Sequence, residues 1–506
     1  MINKFYVYVA AVALAINTNG VTCYGQQKSK MKREPFRPEL HYTPKNFWMN
    51  DPNGMVYHQG VYHLFYQYSP GSTTFGPIHW GHAITKDLIT WQEQQIALSP
   101  DSLGYIFSGS AVADPDNTSG LAKNGETPLI AFYTSHDPVA EKKGAINYET
   151  QSLAYSLDNG KNWRKYAKNP IIANSGVKDF RDPKVSWYSD DNKWVMALAV
   201  SDHIDFYSSK NLLDWIKEGE FGKNESAHGG VWECPDLFPM TIDGKKVWIL
   251  LVSMNLGGPA GGSATQYFTG SFDGKTFTSN SKNKWIDYGS DSYAGVTWSN
   301  SGVRKIFLAW MSNWNYGIHV PTKSWRGAMT IPRELGLKYI GNDYFLTNLP
   351  VRELDKNLKK QQIPLIPNVE YQKLGLPKSG SSYKLDFIAD CNADFSICFQ
   401  NAFGEYVIAG YDKILNQFYV DRTHGGKTDF YKGFATKHSA QRIAKNGTTR
   451  MSILIDQASI ELFADDGLTS ITDVYFPKSI LNKVIIQNKL SFPFKEMEFG
   501  VFKGGR

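Results

Sequence analysis

Cysteine, net charge and long apolar segments are all scarce in this chain of 506 residues. Cys23 lies in the N-terminal stretch, so only three of the four cysteines remain beyond it, which excludes a disulfide framework. Lys and Arg outnumber Asp and Glu by only 54 to 48 and form no long runs, so the pattern does not indicate a nucleic-acid-binding protein. After the N-terminal stretch, no segment has the ~20 apolar residues that a membrane-spanning helix needs.

Residues 1–26 are predicted to be an export signal. Lys4 provides a positive start, and Phe5–Ile16 form an uncharged apolar run too short to span a bilayer. The signal predicts a periplasmic, cell-surface or extracellular protein. Cys23 lies where a bacterial lipoprotein carries its acylated cysteine, but the three residues before it fit that processing signal poorly. Lipid anchoring is therefore the weaker alternative.

The composition indicates a globular protein with a large core. Hydrophobic residues make up 42% of the chain, aromatic residues 14% and charged residues 20%, which argues against disorder. From His41 to about residue 350, short runs rich in Val, Ile, Tyr, Phe and Trp alternate with Gly, Asn and Asp turns. Runs such as Val61–Tyr68 and Lys193–Val200 show hardly any helical period, so this region is predicted to be all-β.

Four turns in this region share a pattern of Ser or Thr, then Asp or Asn two residues later, then a closing aromatic residue. They are Thr85–Trp91, Ser156–Trp163, Ser209–Trp215 and Ser271–Phe277. An Asp or Asn side chain closes such a turn by bonding to the nearby backbone. The turns recur roughly every 60 residues, somewhat more than one four-stranded propeller blade, and residues 38–348 have room for five. We therefore expect a five-bladed β-propeller.

The pattern of the sequence changes after the predicted propeller. Residues 349–370 are Leu-rich and charged and are predicted to be a linker or short helix. Residues 371–506 contain short β runs with strong alternation, which is typical of a two-layer sandwich. The predicted fold is all-β: a five-bladed β-propeller followed by a C-terminal β-sandwich.

Three carboxylates stand in turns rich in Pro, Gly or Cys. Asp51 precedes Pro52, which favours an extended backbone, and the following Asn-Gly pair forces a tight turn. Asp182 also precedes a proline, and Arg181 beside it can bond a sugar or keep a carboxylate ionised. Glu233 lies between Trp232 and Cys234, and apolar neighbours favour the raised pKa of a general acid.

Each carboxylate taken alone could be an ordinary turn residue, but the set indicates glycoside hydrolysis. That reaction needs two carboxylates in different environments, one as nucleophile and one as proton donor. A third can bind ring hydroxyls, and the abundant aromatic residues offer flat faces for sugar rings. Other kinds of site are not indicated. His79 and His82 have no further Cys, His or Glu nearby in the sequence to complete a zinc site. Ser108 lacks the Gly-x-Ser-x-Gly motif of a serine nucleophile, and Gly257–Gly262 lacks the lysine of a phosphate-binding loop.

Five motifs, in order, resemble those of glycoside hydrolase family 32, the invertase, inulinase and levanase group. They are Trp48–Gly54, Phe107–Ser110, Arg181–Pro183, Glu233–Cys234 and Trp325–Arg333. The resemblance covers essentially the whole chain after the export signal, and it implies the same propeller and sandwich that the repeats indicate.

The resemblance further implies retaining cleavage of β-fructofuranosyl bonds in fructans such as levan and inulin, and possibly in sucrose. It makes Asp51 the nucleophile, Glu233 the acid/base and Asp182 a transition-state stabiliser. No metal or organic cofactor is implied. The implied fructose pocket consists of Asn50, Gln67, Phe107, Ser108, Arg181 and Trp310.

Several questions stay open at this point. The family often has Trp where this chain has Phe75, which removes an indole N–H from the pocket edge. Fructosyl transfer to a sugar acceptor and non-catalytic fructan binding are the alternative functions. The preferred substrate, attack at chain ends or within the chain, and the oligomeric state also stay open.

Overall fold

The computed structural model describes residues 34–123, 125–223, 227–366, 369, 371–374, 382–488 and 494–503. The predicted export signal and Cys23 lie outside these residues. In the described part of the chain, no helix combines the length and apolar character needed to cross a membrane. Cys234, Cys391 and Cys398 are free thiols.

The first half of the chain folds into three four-stranded antiparallel units. The first contains β1 (Phe47–His58), β2 (Val61–Ser69), β3 (His79–Thr85) and β4 (Gln92–Glu93). The second contains β5 (Tyr105–Ala113), β6 (Leu129–His136), β7 (Glu149–Ser156) and β8 (Arg164–Lys165), with the short helix α1 (Pro138–Lys142) before β7. The third contains β9 (Phe180–Tyr188), β10 (Lys193–Val200), β11 (His203–Ser209) and β12 (Ile216–Phe221).

Two further sheets complete the propeller. The fourth contains β13 (Val231–Ile242), β14 (Lys245–Asn255), β15 (Ala264–Phe272), β16 (Phe277–Ser279) and β17 (Lys284–Trp285). The fifth contains β18 (Tyr293–Thr297) and β19 (Lys305–Trp310), followed in the sheet by β21 (Arg333–Ile340) and β22 (Asp343–Pro350). The intervening β20 (Trp325–Arg326) pairs in parallel with β1. We call these five sheets blades 1 to 5.

The first strands of the blades contact one another in order around the ring, and β18 returns against β1. Backbone hydrogen bonds close the ring beside Ser299, which follows β18. Its N–H donates to the carbonyl of Met55, and its carbonyl accepts from the N–H of Tyr57, both over 3.0 Å. The first strands therefore line a central channel, as expected for a propeller.

The repeated turn joins the third and fourth strands of blades 1 to 4, and its predicted mechanism is confirmed. Asp87 Oδ1 accepts hydrogen bonds from the backbone N–H groups of Ile89 and Thr90 over 3.0 and 2.7 Å. Equivalent side-chain caps are made by Asp158, Asn211 and Asp273.

The closing aromatic residue of each turn packs against the preceding blade. Trp163 of blade 2, for example, lies edge-on to Phe65 of blade 1 with ring centroids 5.3 Å apart. The other pairs are Trp215 with Phe132, Phe277 with Phe221, and Trp91 with Trp298 of blade 5. One short sequence pattern thus both caps a turn and joins neighbouring blades.

The C-terminal region forms two six-stranded antiparallel sheets with a shared core. Its elements in chain order are α2 (Glu353–Lys356), β23 (Leu358–Gln362), β24 (Tyr371–Leu374), β25 (Tyr383–Asp390), β26 (Phe395–Gln400), β27 (Tyr406–Asp412), β28 (Gln417–His424), β29 (Lys437–Gln441), β30 (Thr448–Ile455), β31 (Ser459–Ala464), β32 (Thr469–Val474), β33 (Lys483–Asn488) and β34 (Phe494–Phe502). One sheet has the order β23-β34-β25-β30-β31-β32 and the other β24-β33-β26-β27-β28-β29.

Residues 349–370, predicted to be a linker or short helix, contain a short helix and also a strand that was not predicted. This segment contains α2 and then β23, which pairs antiparallel with β34 at the edge of a sandwich sheet. Only Leu358 of β23 is buried, while its Lys and Gln side chains are exposed. Edge strands with charged outward residues are common in natural sheets. Because β23 is mostly polar, its sequence lacks the alternation of apolar and polar residues that predicts a strand.

Buried ion pairs join the propeller to the sandwich. Arg333, at the start of β21, donates to Asp287 Oδ2 over 2.8 Å and to Glu461 Oε1 of the sandwich over 2.6 Å. Arg422 of the sandwich donates to Asp291 Oδ2 of the propeller over 2.7 Å. Both arginines are almost fully buried, so neither pair is screened by solvent.

Candidate active site

A β-bulge interrupts the first strand of every blade at the same end of the channel. Each bulge lies in a tripeptide that ends in Pro or Gly. The five tripeptides are Asn50-Asp51-Pro52, Phe107-Ser108-Gly109, Arg181-Asp182-Pro183, Glu233-Cys234-Pro235 and Tyr293-Ala294-Gly295. Bulges re-aim side chains, and here they gather residues from all five blades at one point.

Three of the middle residues have a positive φ although they are not glycine: Asp182 at 66°, Cys234 at 46° and Ala294 at 53°. Such a backbone is strained and persists where the surrounding fold imposes it, which is common at functional sites. The strain turns these side chains out of the alternating pattern of an ordinary strand.

Asp51 is held by the bulges of two blades and is only 8% exposed. Its Oδ2 accepts a hydrogen bond from Ser108 Oγ over 3.0 Å, and its Oδ1 accepts one from Asn50 Nδ2 over 3.1 Å. Trp48 Nε1 donates to Asn50 Oδ1 over 2.7 Å, which fixes the amide that faces Asp51. The Asp51 carboxylate therefore has a defined orientation.

Cys234 lies between the two aspartates. Its Sγ is 3.5 Å from Oδ2 of Asp51 and 3.5 Å from Oδ2 of Asp182, while its backbone N–H donates to Asp182 Oδ2 over 2.9 Å. The backbone N–H of Asp182 donates to Thr134 Oγ1 over 2.9 Å. Blades 1, 3 and 4 thus meet through one thiol.

Glu233 lies beside an arginine and a tyrosine. Arg181 Nε donates to Glu233 Oε1 over 3.1 Å, and the hydroxyl of Tyr293 donates a short hydrogen bond to Glu233 Oε2. The side chain of Glu233 keeps 16% exposure, so one face of its carboxyl stays open to the channel.

Glu149, which the sequence argument missed, anchors Arg181 from the neighbouring blade. The Nη1 atom of Arg181 lies 3.2 Å from Glu149 Oε1 and 2.8 Å from Asp179 Oδ1. Glu149 also accepts the backbone N–H of Phe180 over 2.7 Å. The guanidinium is therefore fixed on one side by Glu149 and presented to Glu233 on the other.

Burial and mutual repulsion raise the pKa values of both aspartates. Burial, and then the charge of Glu233, raise the pKa of Asp51 from an ordinary 3.8 to about 6, although hydrogen bonds from Asn50 and Ser108 oppose the shift. The pKa of Asp182 is raised by the same two causes, with Arg181 opposing them. Two acidic groups in this space cannot ionise independently.

Aromatic side chains surround one side of the carboxylates. Trp310 is fully buried and lies 5.8 Å from Trp48 and 5.0 Å from Trp314, between ring centroids. Phe75, which is 42% exposed, packs edge-on against both Trp314 and Phe107. These rings form an apolar wall that continues from the channel to the surface.

The residues proposed from the sequence thus mostly come together. Asn50, Asp51, Ser108, Arg181, Asp182 and Glu233 form one connected set, and Phe107 and Trp310 belong to the aromatic wall. Gln67 lies slightly apart: its Nε2 donates to the carbonyl of Ile106 over 3.0 Å, one residue before Phe107. Tyr293, Thr134 and Glu149 were not found from the sequence.

Among the described residues, one group has donor atoms close enough together to hold a metal ion: His203, Asp205 and Glu220. It lies on β11 and β12, in the outer half of blade 3. Lys217 and Lys223 lie 2.6 and 2.7 Å from its two carboxylates, so ammonium groups already neutralise it. We assign no metal to this group.

Comparison with known proteins places this geometry in a family. Residues 41–348 match the model of the glycosyl hydrolases family 32 N-terminal domain, and residues 351–499 match that of the family 32 C-terminal domain. The chain belongs to glycosyl hydrolase family 32. The family and the fold expected from the sequence are therefore confirmed, and the chain is a glycosidase.

Relatives within family 32 resemble the chain over most of its length. It is 44% identical to a levanase of Bacillus subtilis, over 88% of this chain and 67% of that protein. It is 39% identical to an extracellular exo-inulinase of Aspergillus niger, over 88% and 90%. The crystal structure of an exo-inulinase from Aspergillus awamori superposes with a TM-score of 0.85 at 35% identity, covering 93% of this chain and 99% of that one.

Proposed function

We propose that this protein is an exported fructan hydrolase that cleaves β-fructofuranosyl bonds with retention of configuration. The observation that carries the proposal is the convergence of Asp51, Asp182 and Glu233 from blades 1, 3 and 4, bridged by Cys234 and Arg181. Retaining glycoside hydrolysis needs a nucleophile and an acid/base on opposite sides of one bond.

In the first step, a carboxylate oxygen of Asp51 attacks the anomeric carbon of a fructosyl unit. Glu233 gives its proton to the oxygen of the leaving sugar, so the glycosidic bond breaks as the acyl-fructosyl bond forms. Ser108 and Asn50 orient the Asp51 carboxylate and stabilise its charged form. Above a pH of about 6, Asp51 is ionised and able to attack.

In the second step, water attacks the same carbon and Glu233, now a base, takes its proton. Fructose is released with its original configuration, and Asp51 returns to the carboxylate form. Asp182 accepts hydrogen bonds from ring hydroxyls, and it suits this role because the N–H of Cys234 fixes its orientation. Arg181 stabilises negative charge on Glu233 once the proton has left.

The substrate class follows from the family and from the aromatic wall. The relatives are named levanase and exo-inulinase, which are fructan-degrading enzymes. Phe75, Phe107 and Trp314 offer flat apolar faces beside the carboxylates. The extracellular relative supports export. We propose that the pocket is specific for fructosyl units and that Asn50, Gln67 and Trp310 line it.

Product analysis on levan, inulin and sucrose tests this proposal. Fructose release that is lost in Asp51→Ala and in Glu233→Ala, with both variants folded, is the expected result. Turnover like that of the wild type in either variant contradicts the assignment. Fructose alone indicates attack at chain ends, a ladder of oligosaccharides indicates internal cleavage, and longer products than the substrate indicate transfer.

A further inference from the structure

The central channel has a second cavity at the end away from the carboxylates. Its volume is about 520 Å³, within the ~300–1,000 Å³ typical of small-molecule sites. Its lining includes later residues of β9 and β13, whose bulges hold Asp182 and Glu233, and of β5 and β18. Trp187, for instance, lies five residues beyond Asp182 on β9, which is roughly 17 Å along an extended strand. The two sites are therefore separate.

One wall of this cavity carries a buried carboxylate with a free oxygen. Asp236 is 1% exposed, and its Oδ2 accepts from the N–H and hydroxyl of Thr297 over 2.6 and 2.7 Å and pairs with Lys184 over 3.0 Å. Its Oδ1 is buried and has no hydrogen-bond partner among the described residues. This oxygen is closed off from the cavity, so Asp236 influences a ligand there through its charge and through its contact with Lys184.

A donor without a partner lines the same cavity. The ammonium of Lys305 lies 5.6 Å from the ring centroid of Phe238 and has neither a hydrogen bond nor an ion pair with any residue that the structure describes. Burial lowers the pKa of Lys305, although Asp236 opposes the shift. Lys305 therefore presents to the cavity a donor without a partner among the described residues.

Trp187 provides a flat apolar face at the rim of the cavity. Its indole is 42% exposed and is fixed edge-on against Trp194, with centroids 5.0 Å apart and planes at 69°. An exposed indole held rigid by a second one is suited to stacking against a ring.

The charges of the lining favour a neutral ligand. Two cations, Lys184 and Lys305, face three carboxylates, Asp114, Asp116 and Asp236. This balance disfavours an anion such as phosphate. A sugar hydroxyl, by contrast, can accept a hydrogen bond from Lys305 without bringing a charge into the cavity.

We infer that this distal cavity binds a single sugar unit, stacked on Trp187 and hydrogen-bonded through a hydroxyl to Lys305. A sugar held here would be remote from the reacting bond, so the site would bind carbohydrate without cleaving it. On a polymer substrate it would add a second point of attachment and raise the effective concentration of chain ends at the carboxylates.

Calorimetric titration of the Asp51→Asn protein with fructose, a short fructo-oligosaccharide and glucose tests this inference, since that background prevents turnover. We expect two binding events for at least one sugar. Trp187→Ala and Lys305→Met, each added to that background, should weaken one event at least tenfold and leave the other unchanged. Phe403→Ala, which removes an aromatic side chain 65% exposed on the sandwich, is the matched control.

A single event, or two events that persist in both variants, overturns the inference. So does displacement of the sugar by inorganic phosphate, which would identify an anion site. The same substitutions in the wild-type protein should leave sucrose turnover unchanged. Because the titration needs no turnover, its failure is distinguishable from failure of the proposed hydrolase function.

Discussion

Ser108 Oγ donates a hydrogen bond to Oδ2 of Asp51 over 3.0 Å, and so joins the bulges of blades 2 and 1. This contact opposes the burial that raises the pKa of Asp51 to about 6. A hydrogen bond to a charged group is worth about 1.5–3 kcal/mol, which corresponds to one or more pKa units.

Removing this hydroxyl should shift the pH dependence of the reaction. In Ser108→Ala the pKa of Asp51 rises further, so the acid limb of kcat/KM should move up from near pH 6 by about one unit. A pH–rate profile on sucrose measures the shift. Ser135→Ala, which removes a buried hydroxyl bonded to Ser152 elsewhere in blade 2, is the control and should leave the limb in place. An unchanged limb in Ser108→Ala contradicts the pKa argument.

Replacing Asp51 with a neutral residue should raise the stability of the fold while it lowers activity. The folded pKa lies above the unfolded one, so the contribution of Asp51 to stability is complete below pH 4 and is lost as pH rises through about 6. Asp51→Asn should therefore be more stable than the wild type at pH 7.5, by up to about 3 kcal/mol, with a smaller difference at pH 4. Its turnover should fall on the order of 10⁴-fold.

Denaturant unfolding at the two pH values checks this prediction, alongside an activity assay. A destabilised Asp51→Asn protein at pH 7.5 would mean that the ionised carboxylate is well solvated in the folded state. That result would contradict the conclusion that burial disfavours the ionised form of Asp51.

Replacing Arg181 with lysine should impair catalysis even though the positive charge is kept. The guanidinium contacts Glu149 and Glu233 at the same time, and a single ammonium cannot reproduce both contacts. We expect kcat to fall about 10²-fold with a smaller change in KM, because a misplaced Glu233 affects proton transfer more than binding. The exposed Arg164→Lys is the control, and equal effects in the two variants would refute the geometric argument.

The sandwich should stabilise the active-site end of blade 5. Asp291 lies two residues before Tyr293, and its backbone and side chain bond to Thr472 and Arg422 of the sandwich. Arg422→Met leaves the buried Asp291 without its cation and should cost about 3–5 kcal/mol, whereas Asp473 keeps its contact with His438 over 2.7 Å. Adding Asp291→Asn should recover part of that loss.

Urea unfolding of the single and double variants measures this coupling. Arg442→Met, which breaks a pair with Asp465 inside the sandwich, is the control, and it should show no recovery when combined with Asp291→Asn. Additive losses in the Arg422 and Asp291 variants would show that the two residues do not act as a pair.

Much of the fold could be predicted because its repeat is local. Asp87, Asp158, Asn211 and Asp273 cap turns through their own neighbouring backbone, which leaves a short pattern in the sequence. Blade 5 lacks that pattern: its outer strands join through Gly341 and Asn342, both with positive φ. The fifth blade could therefore be inferred only from chain length and from the resemblance.

Some of the site residues could also be predicted because they lie in short local motifs. Proline after Asp51 and after Asp182 predicted a turn, but the structure has a strand with a β-bulge at both places. Tyr293 is followed by Ala294 and Gly295, an apolar pair that gave no prediction. Glu149 begins an otherwise ordinary strand, and only the approach of blade 3 brings Arg181 to it. Comparing the five Pro- or Gly-ended tripeptides would have found Tyr293, but no local signal identifies Glu149.

The stereochemistry of the first-formed product tests the central claim most directly. If Asp51 forms a covalent fructosyl intermediate that water resolves with the help of Glu233, two inversions at the anomeric carbon give net retention. NMR spectra recorded early in the hydrolysis of sucrose, before fructose equilibrates, should show the β-fructofuranose anomer. Initial release of the α anomer would contradict the assignment of Asp51 as nucleophile.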